Sequence, residues 1–214
     1  MNGTGEGEKR VAARAAAELV EDGMRVGLGT GSTVAQLLPA LAERGLEIRC
    51  VATSIATEEQ ARELGIAVEP FEGLDRLDIA IDGADQIAPD GWLVKGGGGA
   101  HTREKIVAAA AERFVVIADS SKPVDRITAP IPLELLRYGI DATLRHLGEA
   151  RLRDVDPSPD DGLIADYHGE VGDPAALAAR LAATPGVVDH GLFEPDLVST
   201  TLVARGDEIE RRDL

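Results

Sequence analysis

Cysteine is nearly absent. Cys50 is the only one in 214 residues, so no disulfide can form within the chain. It sits in the apolar run 48–52, where a small buried side chain is expected rather than a nucleophile. The four histidines, His101, His146, His168 and His190, lack the spacing of a zinc or iron site, and no metal is expected. Long apolar runs are missing too: nothing approaches the roughly 18 consecutive residues of a membrane span. The polar start MNGTGEGEKR lacks the charged-then-apolar order of a signal peptide, so a cytoplasmic protein with no membrane partner is expected. Positive charge is scarce, with 38 acidic residues against 22 basic ones and a net charge of −16. Nucleic acid is therefore not expected as a partner, because binding a phosphate backbone requires a basic face.

Lysine is scarcer still. Lys9, Lys95, Lys105 and Lys122 stand against 18 arginines. An acidic, lysine-poor chain with only 3% aromatic residues suggests adaptation to high salt, where dense carboxylates stay hydrated and their repulsion is screened. The few lysines left are then candidates for chemistry that needs a compact ammonium rather than a planar guanidinium fork.

With 44% hydrophobic residues the chain can fill one large core or two modest ones. Helical spacing runs from Glu8 to Val20 and a strand from Met24 to Leu28, which breaks into GLGTGST at 27–33 before a helix over 34–42. A strand, a Gly-rich turn and a helix suit an anion. A Walker loop would need a lysine that is missing here, and a dinucleotide fingerprint would need a different glycine spacing, so NAD is not expected. The hydroxyls of Thr30, Ser32 and Thr33 cradle a sugar hydroxyl or phosphate, or else Ser32 or Thr33 is a plain helix N-cap; local sequence leaves both open. Strands at 48–52, 66–68 and 77–81 then alternate with a helix over 57–64, and a helix over 102–113 leads to a strand at 114–118. Such alternation predicts a parallel sheet whose site lies beyond the carboxyl ends of its strands.

Past Ile127 the texture changes. A strand at 127–132, a helix over 133–147, strands at 150–155 and 163–168, a helix over 174–183 and a strand at 187–193 make a β-α-β-β-α-β module. Asp173 is expected to cap the second of these helices, with Pro174 at its first position. A last strand at 197–204 is expected to rejoin the first domain. The fold class is α/β: a Rossmann-like parallel-sheet domain with helices on both faces, residues 1–127 and 196–214, plus a smaller ferredoxin-like α+β domain, residues 128–195.

The densest chemistry lies in 78–105, DIAIDGADQIAPDGWLVKGGGGAHTREK. Two carboxylates, Asp82 and Asp85, are followed by Lys95, four glycines and Glu104. Four successive glycines cost order, which makes sense where a ligand approaches bare backbone or the chain needs positive φ. Taken singly, DGAD reads equally as a surface turn and KGGGG as a flexible loop.

Together with TSIAT (53–57) and ADSSKPV (118–124), these motifs closely resemble ribose-5-phosphate isomerase of the A type, along the whole chain. IPLELL (131–136) and PGVVDHGLF (185–193) extend the resemblance into the small domain. It implies metal-free, cofactor-free interconversion of ribose 5-phosphate and ribulose 5-phosphate in the non-oxidative pentose phosphate pathway; separately, the small-domain strands and scattered apolar residues suggest a homodimer or homotetramer. The resemblance also implies roles. Glu104 is the base moving a proton between C2 and C1, and Asp82, Asp85 and Lys95 line the reacting end. Thr30, Gly31, Ser32, Thr33, Gly83, Ala84, Gly96, Gly97, Gly98 and Lys122 hold substrate, and Lys9 lies near the phosphate. An enediolate needs one base that reaches both carbons and donors for the developing oxyanion. Burial or a neighbouring carboxylate should raise the pKa of that base. This chain has Gln86 where the family often has glutamate, and His101, read as a partly exposed loop residue, where an apolar side chain is common. His168 is read as a packing or interface residue. A related sugar-phosphate isomerase or amino-sugar deaminase, and a silent sugar-phosphate sensor, are the rival readings; loss of the base or the lysine would mark the sensor.

Overall fold

The computed structural model describes residues 4–74 and 76–214. In chain order its elements begin with α1 (Thr4–Ala17), β1 (Arg25–Leu28), α2 (Ser32–Arg44), β2 (Arg49–Ala52), α3 (Ile55–Glu63) and β3 (Ile79–Asp82). Then come β4 (Gln86–Ile87), β5 (Leu93–Val94), α4 (His101–Ala109), β6 (Phe114–Asp119), β7 (Ile131–Leu135), α5 (Ile140–Leu147) and β8 (Ala150–Leu152). The last are β9 (Leu163–Tyr167), α6 (Pro174–Ala182), β10 (Val187–His190), β11 (Leu192–Phe193), β12 (Thr200–Arg205) and β13 (Glu208–Asp213). The chain divides into two compact units. The first takes the described residues up to Ala84, then Arg103–Lys122 and Asp196–Leu214; the second takes Asp85–Thr102 and Pro123–Pro195.

The first unit is built on a six-stranded sheet in the order β13-β12-β6-β3-β1-β2, parallel except for the edge strand β13. β3 and β6 are buried at every position, so their sequences run apolar without alternation, as in a sheet covered on both faces. Ala12, Ala13, Ala16 and Ala17 of α1 are fully buried in the core with Leu37, Leu38 and Leu41 of α2, and these small side chains let the helix lie close. Strand order reverses between β1 and β3. In a parallel sheet such a reversal opens a crevice at the carboxyl ends of those two strands.

The second unit contains a four-stranded antiparallel sheet in the order β10-β7-β9-β8, connected β-α-β-β-α-β, together with a three-stranded sheet β11-β5-β4. This is the expected ferredoxin-like module, and the sheet of the first unit is the expected Rossmann-like one. Asp173 accepts from the Ala175 N–H with Pro174 in the first turn, as its sequence predicts.

Several element boundaries differ from the sequence reading. The strand expected at 66–68 is a single bridge from Val68 to Cys50. Residues 133–135, expected to be helical, belong to β7, because its leucines are buried between β10 and β9; the helix starts only after Gly139. The strand expected at 187–193 splits at Gly191, and β10 and β11 join different sheets. Helix α1 starts before Glu8, and β13 was not anticipated.

Candidate active site

The two units each carry part of the predicted set. Lys9, Thr30 to Thr33, Asp82 to Ala84, Glu104 and Lys122 belong to the first, and Asp85, Lys95 and Gly96 to Gly98 to the second. The chain crosses between them inside two of its motifs, at Ala84–Asp85 of DGAD and at Thr102–Arg103 of TREK.

In the first unit the crevice between β1 and β3 is occupied by Asp82, the buried last residue of β3, at 3% exposure. Its Oδ1 accepts from the Thr30 N–H at 3.1 Å and the Gly83 N–H at 2.7 Å, which joins the TGST loop to DGAD. The glycines of GLGTGST have separate physical reasons. A Cβ on Gly29 would overlap the Asp82 carboxylate, and one on Gly27 would overlap Val107, so both positions exclude a side chain. Gly27 thus lets α4 pack on β1, and Glu104, one turn before Val107, shares that face. Glu104 is 4% exposed.

Hydroxyls brace the loop. Thr30 Oγ1 lies 2.8 Å from Thr53 Oγ1, and Thr57 Oγ1 donates to the Gly29 carbonyl at 2.9 Å, so the TSIAT motif underpins TGST. The alternative reading of Ser32 or Thr33 as the cap of α2 is corrected: Gly31, at φ 114, is the N-cap residue and no side chain caps the helix. The first turn of α2 therefore has no side-chain cap and no acidic residue of its own at the positive end of the helix dipole.

Lys122, half-buried, follows the turn after β6, where the Asp119 carboxylate accepts from Ser121. Sequence reasoning missed Glu8. Buried on α1, it accepts from the Ser120 N–H at 2.9 Å, the Ser120 hydroxyl at 2.7 Å and the Gly206 N–H at 2.8 Å. The Gly206 N–H, then Ser120, hold the Glu8 carboxyl below the usual carboxylate range. Glu8 brings together the segments that carry Lys9 and Lys122. Lys9 itself pairs with Glu6 at 2.6 Å.

In the second unit Asp85 is exposed, and its Oδ2 accepts from the Gly97 N–H at 2.8 Å, so DGAD and the glycine loop are joined here as well. Lys95 follows β5 at 3% exposure. Its N–H donates to the Gly191 carbonyl at 2.9 Å, and its ammonium lies 5.5 Å from the Phe193 ring centroid, an attractive cation–π placement.

Three expectations outside the main set fare differently. His101 is fully buried at the start of α4 rather than partly exposed, and a Cβ on Gly96 would lie 2.7 Å from its Nδ1. His168 is exposed, not packed. Cys50 is buried as expected, and burial, with a smaller effect of Glu69, pushes its thiol up to about 12.

The first unit offers buried carboxylates at Asp82 and Glu104 and one glycine-rich turn with N–H donors; the second offers a buried ammonium at Lys95 and another such turn. Buried carboxylates are the groups that proton transfer uses, and an ammonium and free N–H groups are those that stabilise a developing oxyanion.

The comparisons point the same way. The family profile of ribose 5-phosphate isomerase A (phosphoriboisomerase A) matches residues 49–208. A ribose-5-phosphate isomerase A of Caulobacter sp. (strain K31) is 48% identical, covering 87% of this chain and 89% of the relative. The crystal structure of ribose 5-phosphate isomerase A from Neisseria gonorrhoeae superposes with a TM-score of 0.93 at 32% identity, covering 98% of each chain. A D-ribose-5-phosphate isomerase in complex with phospho-erythronic acid superposes at 0.92 and 32% identity, covering 100% of each chain. The chain belongs to the ribose 5-phosphate isomerase A family.

Proposed function

We propose that the protein interconverts D-ribose 5-phosphate and D-ribulose 5-phosphate through an enediolate, with Glu104 as the proton-shuttling base. The observation that carries this is the buried Glu104 carboxylate, on the same helix face as the Val107 that seats α4 on β1 at Gly27. A base packed in this way keeps its geometry through a two-step transfer. From the open-chain aldose Glu104 takes the C2 proton, the electrons move to give an enediolate, and the same carboxyl returns the proton to C1 of the ketose. Asp82, held at the strand crevice, passes a proton between the two hydroxyl oxygens and serves ring opening. Lys95 balances the developing oxyanion, and Asp85 and Gly96 to Gly98 shape the reacting end. The Thr30 to Thr33 loop at the start of α2, with Lys122 and Lys9, takes the phosphate. Phospho-erythronic acid, bound by the similar enzyme, carries a phosphate at one end and a carboxylate at the other. An enediolate of a pentose phosphate places its charges in the same way.

The test is conversion of ribose 5-phosphate in the presence of a chelator. The parent enzyme should be unaffected, and Glu104→Gln should cut kcat on the order of a thousandfold or more with little change in KM. Activity surviving in Glu104→Gln would remove the base assignment, and a strict metal requirement would remove the metal-free reaction.

The same reading places the enzyme in the cytoplasm as a homodimer or homotetramer adapted to high salt. Tyr138, 94% exposed, and Leu136, 53% exposed, lie on the segment between β7 and α5, apolar surface that a second copy would cover. Sedimentation in dilute and in molar salt separates these statements: a monomer in both, fully folded in dilute buffer, contradicts the assembly and the habitat together.

A further inference from the structure

The KGGGG loop has a support that its own sequence does not reveal. Arg153, just after β8, is locked to Asp166 of β9 by a two-pronged ion pair, Nε to Oδ2 at 2.7 Å and Nη2 to Oδ1 at 2.6 Å. The pair is mostly buried, with side chains 19% and 17% exposed. The remaining nitrogen, Nη1, donates to the Gly96 carbonyl at 3.0 Å and the Gly97 carbonyl at 3.1 Å. A planar peptide points its N–H opposite to its carbonyl. With both carbonyls turned to Arg153, the Gly97 and Gly98 N–H groups face the other way. Gly97 spends its N–H on Asp85. The Gly98 N–H donates to no group among the described residues, and Gly98 is exposed without a side chain to screen it. Arginine suits this place: it is always charged, and its rigid fork holds a carboxylate with two nitrogens while a third reaches elsewhere.

We propose that Arg153 is a positioning residue for the isomerisation: anchored by Asp166, it sets the peptide planes of the glycine loop so that the Gly98 N–H meets a substrate oxygen. This rests on the isomerase reading above. The donor is of most use where charge develops, so losing its aim weakens the transition state more than the bound substrate.

Steady-state kinetics of Arg153→Ala, Arg153→Lys and Asp166→Asn, with thermal melting of each, test it. Removing an oxyanion donor outright costs about 100- to 1,000-fold; misaiming one should cost less, so Arg153→Ala should lower kcat about 10- to 100-fold with KM within about threefold. Millimolar guanidinium, which can refill the space between Asp166 and the two carbonyls, should recover about tenfold of that loss, an effect that a general loss of folding would not show. Arg153→Lys should stay impaired, because an ammonium cannot reproduce the fork. Asp166→Asn keeps the arginine and should lower kcat about fivefold, a reading independent of whether Arg153→Ala folds. Parental kcat in Arg153→Ala or in Asp166→Asn, or a loss that guanidinium leaves untouched and that follows the melting temperature, overturns the proposal. An inactive parent enzyme overturns the isomerase reading, and this one with it.

Discussion

The two glycine-rich turns are ordered by opposite means. In GLGTGST the order is mainly steric: Gly27 and Gly29 sit where a side chain cannot fit, the hydroxyls of Thr30, Thr53 and Thr57 brace the backbone, and the buried Asp82 carboxylate takes the Thr30 N–H. In KGGGG only Gly96 is closely packed, against His101 and Pro132, and the exposed part is ordered by charge: Gly97 is held from one side by the Asp85 carboxylate and from the other by Arg153. Close packing leaves no freedom to adjust, because an interior transmits a displacement instead of absorbing it. At Gly97 the Arg153 side is fixed by its pair with Asp166, but the Asp85 side chain is exposed and can move, and the loop can shift with it. The contrast teaches that two turns with the same composition need not have the same mechanics: the first resembles a preformed cradle, the second an adjustable rim.

The largest test of that contrast is Gly29→Ala. The new methyl would overlap the Asp82 carboxylate, which is itself tied to the Thr30 and Gly83 N–H groups. Overpacking there should cost roughly 1–3 kcal/mol of stability. Displacement of Asp82 should lower kcat on the order of a hundredfold or more, read by melting and by turnover side by side. Gly97→Ala is the matched change in the second loop. Its Cβ would lie 3.0 Å from Asp85 Oδ1, the end of an exposed side chain that can swing aside. Turnover should fall about tenfold with the melting temperature unchanged. If Gly97→Ala proves as damaging as Gly29→Ala, the distinction between cradle and rim is lost.

What the sequence disclosed follows from where each kind of order is written. The parallel sheet was legible because β3 and β6 are continuous apolar runs, punctuated by glycine and separated by periodic helices. β13 was not, since five of the six residues in EIERRD are charged and its place is set by pairing with β12 after the turn at Gly206. β7 was misread because its leucines also fit a helical period, and only burial between two neighbouring strands decides the matter. The motifs of the candidate site stood out through their rare lysines and clustered glycines, and the structure brings Thr30 to Asp82 and Gly97 to Asp85. Their supports were invisible. Glu8 is one acid among 38, and Arg153 one of 18 arginines; each is distinguished only by partners far away in sequence.

Glu8 adds a pH dependence to the unit that carries the first of these turns. Its folded carboxyl is held below the ordinary value of 4.5, first by the Gly206 N–H and then by Ser120. A depressed carboxyl stabilises the fold at pH above its unfolded value, and that stabilisation is lost as pH falls through the folded one. Glu8→Gln should therefore melt below the parent at pH 7, and the gap should narrow as pH falls below 4.5. Melting curves taken across that range check it; a gap independent of pH would mean that the carboxylate charge has no part in holding the Ser120 turn.

The smallest effect expected comes from Thr53→Val, and its smallness is what makes it useful. Thr53 is 1% exposed and its hydroxyl lies 2.8 Å from that of Thr30. Valine keeps the branched shape, so no cavity opens and β2 keeps its packing; only a neutral hydrogen bond is lost, at a cost of about 1 kcal/mol. Thr30 still has the Thr57 hydroxyl at 3.5 Å as a second neighbour, and its N–H remains on Asp82. If the loop holds the phosphate while chemistry proceeds elsewhere, the loss belongs to substrate binding, so KM should rise about threefold with kcat unchanged. Because no charge is involved, that ratio should be the same in dilute and molar salt, whereas a loop held by ion pairs would show a salt-dependent change. A Thr53→Val enzyme whose defect grew with salt, or appeared in kcat alone, would place the Thr30 loop with the ionic rim at the reacting end and not with the close-packed cradle.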